Sequence, residues 1–165
     1  MKKPSKMVST DRDVLLDLYR SAGGPYWKRK DNWDTDARLS NWHGVRVNDE
    51  GRVVDITLPN NNVHGTMTTA LGKLTALETL YLRDNHLTGH IPNELGDLSR
   101  LERLRLGGNQ LDGGIPASLG QLDKLQKLFL NHNRLSGPIP KDLGYLRALT
   151  HVALFDNELT GECSQ

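Results

Sequence analysis

The feature that most constrains this chain is a period of 24 residues that begins at residue 53 and never slips. Val53, Leu77, Leu101, Leu125 and Leu149 open successive copies. An apolar residue follows three positions on, at Ile56, Leu80, Leu104, Leu128 and Val152. Two positions further stand Leu58, Leu82, Leu106, Leu130 and Leu154. Each copy then places an asparagine (Asn61, Asn85, Asn109, Asn133, Asn157) and a glycine (Gly65, Gly89, Gly113, Gly137, Gly161). Ile-Pro follows in three copies, and Leu-Gly-x-Leu closes four. A register this strict predicts stacked units, because one copy alone is too small to bury its own apolar face.

Each repeated residue type has a physical task. The LxxLxL run alternates apolar and variable residues, so it reads as a short strand with its leucines on one face. Copies stacked about 4.8 Å apart in a parallel sheet would merge those faces into one leucine core. The asparagine sits where the chain leaves the strand, and its amide can satisfy backbone groups that would otherwise be buried unpaired. The glycine permits backbone angles closed to other residues. Proline after isoleucine suits an extended segment outside a central ladder.

The stretch LTALETLYLRDNHLTGHIPNELGDL closely resembles the plant-specific class of leucine-rich repeat, found in receptor-kinase ectodomains and polygalacturonase-inhibiting proteins. The resemblance covers about residues 53–161. It implies an α/β-type repeat solenoid, a right-handed curved coil with a parallel concave β-sheet and an N-terminal helical cap. The Gly-x-Ile-Pro segments would add short strands or turns along one flank. It also implies that the common activity is recognition, with enzyme inhibition as one form of it, and not catalysis.

Upstream of the repeats, residues 9–24 read as one helix. Ser9 or Thr10 can cap it, Asp11 and Asp13 suit its first turn, and Gly23-Gly24-Pro25 end it. Val14, Leu15, Leu18 and Ala22 form its apolar stripe. Trp27, Trp33, Leu39 and Trp42 follow in otherwise polar chain. The first coil of a solenoid must be covered, and tryptophans on irregular chain can do it. The segment Trp42-His43-Gly44-Val45-Arg46-Val47 resembles the Trp-x-Gly-Val-x-Cys signature of the family's N-terminal cap. By that resemblance two cap cysteines would fall at Ser40 and Val47, so the family's disulfide is absent. The expected organisation is a flexible basic tail at 1–8, a cap at 9–52 and five repeats at 53–165, the last truncated.

Composition excludes several classes. Lysine and arginine number 21 against 20 acids, a formal net charge of +1, which argues against a nucleic-acid binder. No apolar run approaches the roughly 18–20 residues of a membrane span, and MKKPSKMVST has no apolar segment behind its basic residues. A single cysteine, Cys163, cannot close an internal disulfide. These features lead to an expected cytoplasmic location, or an extracellular one if a leader has been removed. Cys163 takes the place isoleucine holds in earlier copies and reads as a small buried hydrophobe. No C-terminal cap is recognisable, and an uncovered last strand is a pairing hazard. Self-association through that edge is therefore a second expectation.

Function is sought at the variable strand positions, which face away from the core. Between the second and third leucines stand Thr57, Tyr81, Arg105, Phe129 and Ala153. Before the second leucine stand Asp55, Thr79, Arg103, Lys127 and His151. After the third come Pro59, Arg83, Gly107, Asn131 and Phe155, then Asn60, Asp84, Gly108, His132 and Asp156. Of the four aromatics in the repeats, Tyr81, Phe129 and Phe155 share this face, with basic residues among them. Aromatic and arginine side chains are the usual anchors of protein interfaces. The candidate binding set is Tyr81, Arg83, Arg103, Arg105, Lys127, Phe129, His132, His151 and Phe155, facing a protein or peptide with an acidic or planar group. A bland alternative is that aromatics merely favour exposed strand positions and Arg105 stacks between its neighbours. His86 and His90, four apart but off any helix, make a poor metal site. Lys28-Arg29-Lys30 reads as a solvated turn. No catalytic constellation, metal site or cofactor motif is found.

Overall fold

The computed structural model describes residues 10–161. The expected basic tail, Ser9 and Cys163 lie outside the described residues. Helix α1 spans Asp11–Ser21, shorter at both ends than the sequence suggests. Thr10 closes its N-terminus with a capping box: its hydroxyl accepts from the Asp13 N–H while its own N–H donates to the Asp13 carboxylate at 2.8 Å. The Thr10 N–H and hydroxyl, both donating to the Asp13 carboxylate, hold that carboxyl below its usual pKa. Gly23, in the left-handed region, turns the chain out of the helix into a short 3-10 turn at Gly24–Tyr26. Val14, Leu15, Leu18 and Ala22 are fully buried.

The strands are β1 (Val45–Val47), β2 (Val53–Thr57), β3 (His64–Thr66), β4 (Thr79–Tyr81), β5 (His86–Thr88), β6 (Arg103–Arg105), β7 (Lys127–Phe129), β8 (Ser136–Pro138), β9 (His151–Ala153) and β10 (Glu158–Thr160). The main sheet runs in the order β1-β2-β4-β6-β7-β9. From β2 onward every pairing is parallel and in strict register, with Ile56, Leu80, Leu104, Leu128 and Val152 aligned. The flank carries two parallel pairs, β3 with β5 and β8 with β10, where the sequence places the glycine-containing turns.

The core follows from the period. In the third coil Leu101, Leu104, Leu106, Leu111, Leu119 and Leu122 are wholly buried and Ile115 nearly so. Each is worth roughly 1.5–3 kcal/mol of apolar transfer. Burial weakens from the second half of the fourth coil onward, where Ile139 and then Val152 are half exposed. On the convex side, the Leu-Gly-x-Leu segments form 3-10 turns at Thr69–Lys73, Asn93–Asp97, Ala117–Gln121 and Lys141–Tyr145. Their glycines let neighbouring turns touch. A Cβ on Gly96 would lie 2.5 Å from the Ser118 carbonyl oxygen, whereas one on Gly144 would meet nothing within 4 Å.

The asparagines make a continuous set of side-chain-to-backbone bonds. The Asn109 carbonyl accepts from Leu87 N–H (3.0 Å), and its amide donates to the Leu82 and Leu106 carbonyls (3.0 and 2.9 Å). Asn85, Asn133 and Asn157 repeat the pattern. Asn61 departs from it, because no coil precedes its own. Its carbonyl accepts from Arg29 N–H at 2.7 Å and its amide donates to the Arg29 carbonyl at 2.9 Å. The first rung thus fastens the basic loop of the cap.

The cap is an aromatic cluster. Trp33 stacks on Tyr19 at 6.0 Å and meets Trp27 and Trp42, each at 4.9 Å. All three indoles are buried and donate to backbone carbonyls: Trp27 to Ala22, Trp33 to His43 and Trp42 to Ala37. Arg12 adds donations to the Thr35 and Ala37 carbonyls and lies over the Trp42 ring at 5.1 Å. The Asp11 carboxylate grips the Arg52 guanidinium (3.0 and 3.1 Å) and the Val53 N–H (2.8 Å), tying α1 to the first repeat strand. Strand β1 covers the sheet edge in antiparallel pairing with β2. Gly44 makes that approach feasible: its φ is +75°, and a Cβ there would lie 2.3 Å from the Thr57 carbonyl oxygen.

Candidate recognition face

Parallel register puts like columns of neighbouring coils side by side, and that places the sequence candidates. Tyr81, Arg105 and Phe129 occupy aligned positions on β4, β6 and β7. The Arg105 guanidinium carbon lies 5.1 Å from the Tyr81 ring centre and 5.3 Å from that of Phe129. The cation is therefore held between two aromatic faces. Its Nε is buried with no hydrogen-bond partner, which leaves the terminal nitrogens as the donors available to a ligand.

A second group forms two coils on. The His132 and Phe155 rings meet edge to face at 5.1 Å, and His132 Nδ1 lies 2.8 Å from an Asp156 carboxylate oxygen. Phe155 is 59 % exposed, which makes it the most open aromatic of this face.

The other candidates sit on the same sheet without joining either group. Arg103 lies 3.7 Å from the Glu102 carboxylate and reaches Thr79. Arg83 pairs with its neighbour Asp84 at 3.0 Å. Part of the positive charge read from the sequence is thus locally neutralised. Lys127 aligns with Arg103 and His151 across β6, β7 and β9, and His151 engages the Thr150 hydroxyl.

Two features of this face escape the sequence reading. At its first edge Arg46 on β1 lies between Asp55 (3.6 Å) and Glu78 (3.8 Å). Nothing in the repeat register could place Arg46, because the cap has no period. The second is legible in retrospect: Asn60, Asp84, Gly108, His132 and Asp156 all have φ between 48° and 67°. That column is filled by residues that tolerate, or at His132 are held in, the left-handed region.

No group of three or more metal-ligating side chains occurs among the described residues, and none of the helices there is long and apolar enough to cross a membrane. A depression of about 1060 Å³ lies at the cap junction, lined by Thr10, Asp11, Arg12, Arg52 and Lys73 among others. Its two arginines are already bonded within the cap, so it offers a ligand less than the sheet does.

Two family models, both described as leucine-rich repeat, match residues 52–111 and 124–146, together half of the chain. The chain belongs to the leucine-rich-repeat family. Its repeats are of the plant type. A probable inactive leucine-rich repeat receptor-like protein kinase of Arabidopsis thaliana is 39 % identical over 54 residues. That match takes in 32 % of this chain and only 8 % of the relative's length. Among solved structures, a chain of the BIR3–SERK2 complex from Arabidopsis thaliana is similar with a TM-score of 0.80 and 31 % identity, covering 90 % of this chain and 84 % of that one. The BIR2 ectodomain from Arabidopsis thaliana gives 0.85 and 32 %, with 93 % and 83 % covered. A plant ice-binding protein gives 0.84 and 30 %, with 94 % and 50 % covered.

These likenesses correct the expected cytoplasmic location. The similar structures include receptor-kinase ectodomains, which point outside the cell. The expectation rests on the start of the chain and on cysteine usage, and the physical reason the second misleads is visible in the cap. Indole packing and the Asp11–Arg52 clamp close that end of this leucine-rich-repeat chain without cysteine.

Proposed function

We propose that the chain is a non-catalytic recognition module that binds a protein or peptide partner through the concave sheet, in signalling or defence. The observation that carries this is Arg105, fixed between Tyr81 and Phe129 with its Nε buried and unpartnered. A cation stacked between rings is already ordered, so a carboxylate or planar group meets it at reduced entropic cost. Likeness to receptor ectodomains, and to a chain of the BIR3–SERK2 complex, supports the reading. The ice-binding likeness shows that the fold alone does not decide it. The test compares capture of partners from the native source by the unmodified chain and by Arg105→Glu with Phe129→Ala. A partner retained by the first and lost by the second is expected. Equal retention by both would overturn the concave assignment.

A second reading, self-association, is favoured by one observation. Of five exposed large apolar residues among those described, four (Ile139, Tyr145, Val152, Phe155) lie in the last two described coils, around β9. A solution mass that rises with concentration would support it; a constant monomer mass would remove it.

A further inference from the structure

Resting on that recognition reading, we infer that the concave face binds an extended peptide by two side chains four positions apart: an acidic residue at Arg105 and an aromatic or large aliphatic residue at Phe155. The first seat is the stacked guanidinium, which offers its terminal nitrogens. The second is the exposed Phe155 ring, braced edge-on by His132, itself held by Asp156. The two seats differ in chemistry. Asp156, directly beside Phe155, repels a second carboxylate there, so the second residue is apolar.

The spacing follows from the sheet. Phe155 stands two coils beyond Arg105 and two residues further along the strand direction. With parallel strands about 4.8 Å apart and a rise of about 3.3 Å per residue, the seats are separated by roughly 12 Å. An extended peptide sends residues i, i+2 and i+4 to one side and spans about 13 Å over four steps. Two steps cover only about 7 Å. Three or five steps turn the second side chain away from the sheet.

The experiment uses fluorescently labelled synthetic peptides on a Gly/Ser background. Each carries one glutamate and one phenylalanine at spacings from two to six, in both orders, with anisotropy titration against the full chain. Tightest binding is expected at a spacing of four. Arg105→Gln should weaken that peptide roughly ten- to hundredfold, Phe155→Ala roughly fivefold or more, and either change should flatten the spacing preference. Both side chains leave the core untouched, and a melting curve of each variant checks that. Binding that needs Arg105 and Phe129 but ignores spacing and Phe155 overturns this inference and leaves the recognition reading standing. Binding insensitive to Arg105→Gln and Phe129→Ala overturns both. No binding at any spacing overturns the inference.

Discussion

Asn109→Ala tests how the solenoid holds itself together, and its cost can be worked bond by bond. Asn109 is buried, and its amide makes three short contacts: with Leu87 N–H and with the carbonyls of Leu82 and Leu106. The two carbonyls are shared with neighbouring rungs. Leu82 also accepts from Asn85 at 2.9 Å, and Leu106 from Asn133 at 3.0 Å. Removing the amide therefore strands chiefly the Leu87 N–H, whose acceptor is lost inside the core. One buried unsatisfied donor costs about 1–3 kcal/mol, with a few tenths more for the thinned carbonyls, so about 2 kcal/mol overall is expected. With a urea slope of about 2 kcal/mol/M for a chain of this size, the midpoint should fall by about 1 M. Asn157→Ala is the internal control, since the same bonds there lie in the partly exposed last coil and water can replace them. Its cost should stay under about 1 kcal/mol. Equal midpoints for the two variants, or no shift in either, would refute the reasoning.

Two further outcomes follow from local geometry. Gly96→Ala should destabilise by about 1–3 kcal/mol, because its Cβ would press on the Ser118 carbonyl; Gly144→Ala, with open space at the same repeat position, should instead stabilise by about 0.4–1 kcal/mol. Urea midpoints that move the same way for both would contradict the close approach of neighbouring turns. His43 has its pKa lowered from 6.5, first by burial and then by the Arg29 charge, against the opposing Asp31. The unfolded chain then binds the proton more readily, so this contribution is present above pH 6.5 and lost as pH falls through the lower folded value. His43→Gln should flatten that part of the stability profile, and an unchanged slope in a pH series of melts would count against it.

What could be read from residues alone divides at the boundary of the period. Inside it, position in the copy settles position in space: Leu104 must lie between Leu80 and Leu128, and Arg105 must fall between Tyr81 and Phe129. The same logic made the asparagine contacts foreseeable, though not the sharing of each carbonyl by two rungs. Outside the period that logic has nothing to act on. Residues 45–47 form too short a run to announce a strand, yet β1 pairs with β2 because the sheet edge is open there and Gly44 lets the chain come close. Asn61 turns to Arg29 for the same reason, since the cap supplies what a preceding coil would. The helix ends earlier than its composition suggests because the left-handed Gly23, ahead of Pro25, diverts the chain. On the concave face, column alignment found Arg105 but could not show that Arg83 and Arg103 sit beside Asp84 and Glu102. Side-chain choices between columns are not written in a period.

The cap also shows why cysteine usage was a poor guide to compartment. A crosslink between positions 40 and 47 would close a loop of only about eight residues, worth about 2–3 kcal/mol by chain entropy. Truncating one buried tryptophan costs about 3–5 kcal/mol. This cap buries three, in mutual contact with one another or Tyr19 and each bonded at its N–H. Arg12 stacks on Trp42, and Asp11 pins the helix to Arg52 and Val53. A short-loop disulfide would be the smaller part of such a cap, so its loss requires no change of fold and no reducing surroundings. The absence at Ser40 and Val47 is therefore neutral about where the protein works. The likeness to receptor ectodomains becomes the observation that bears on it.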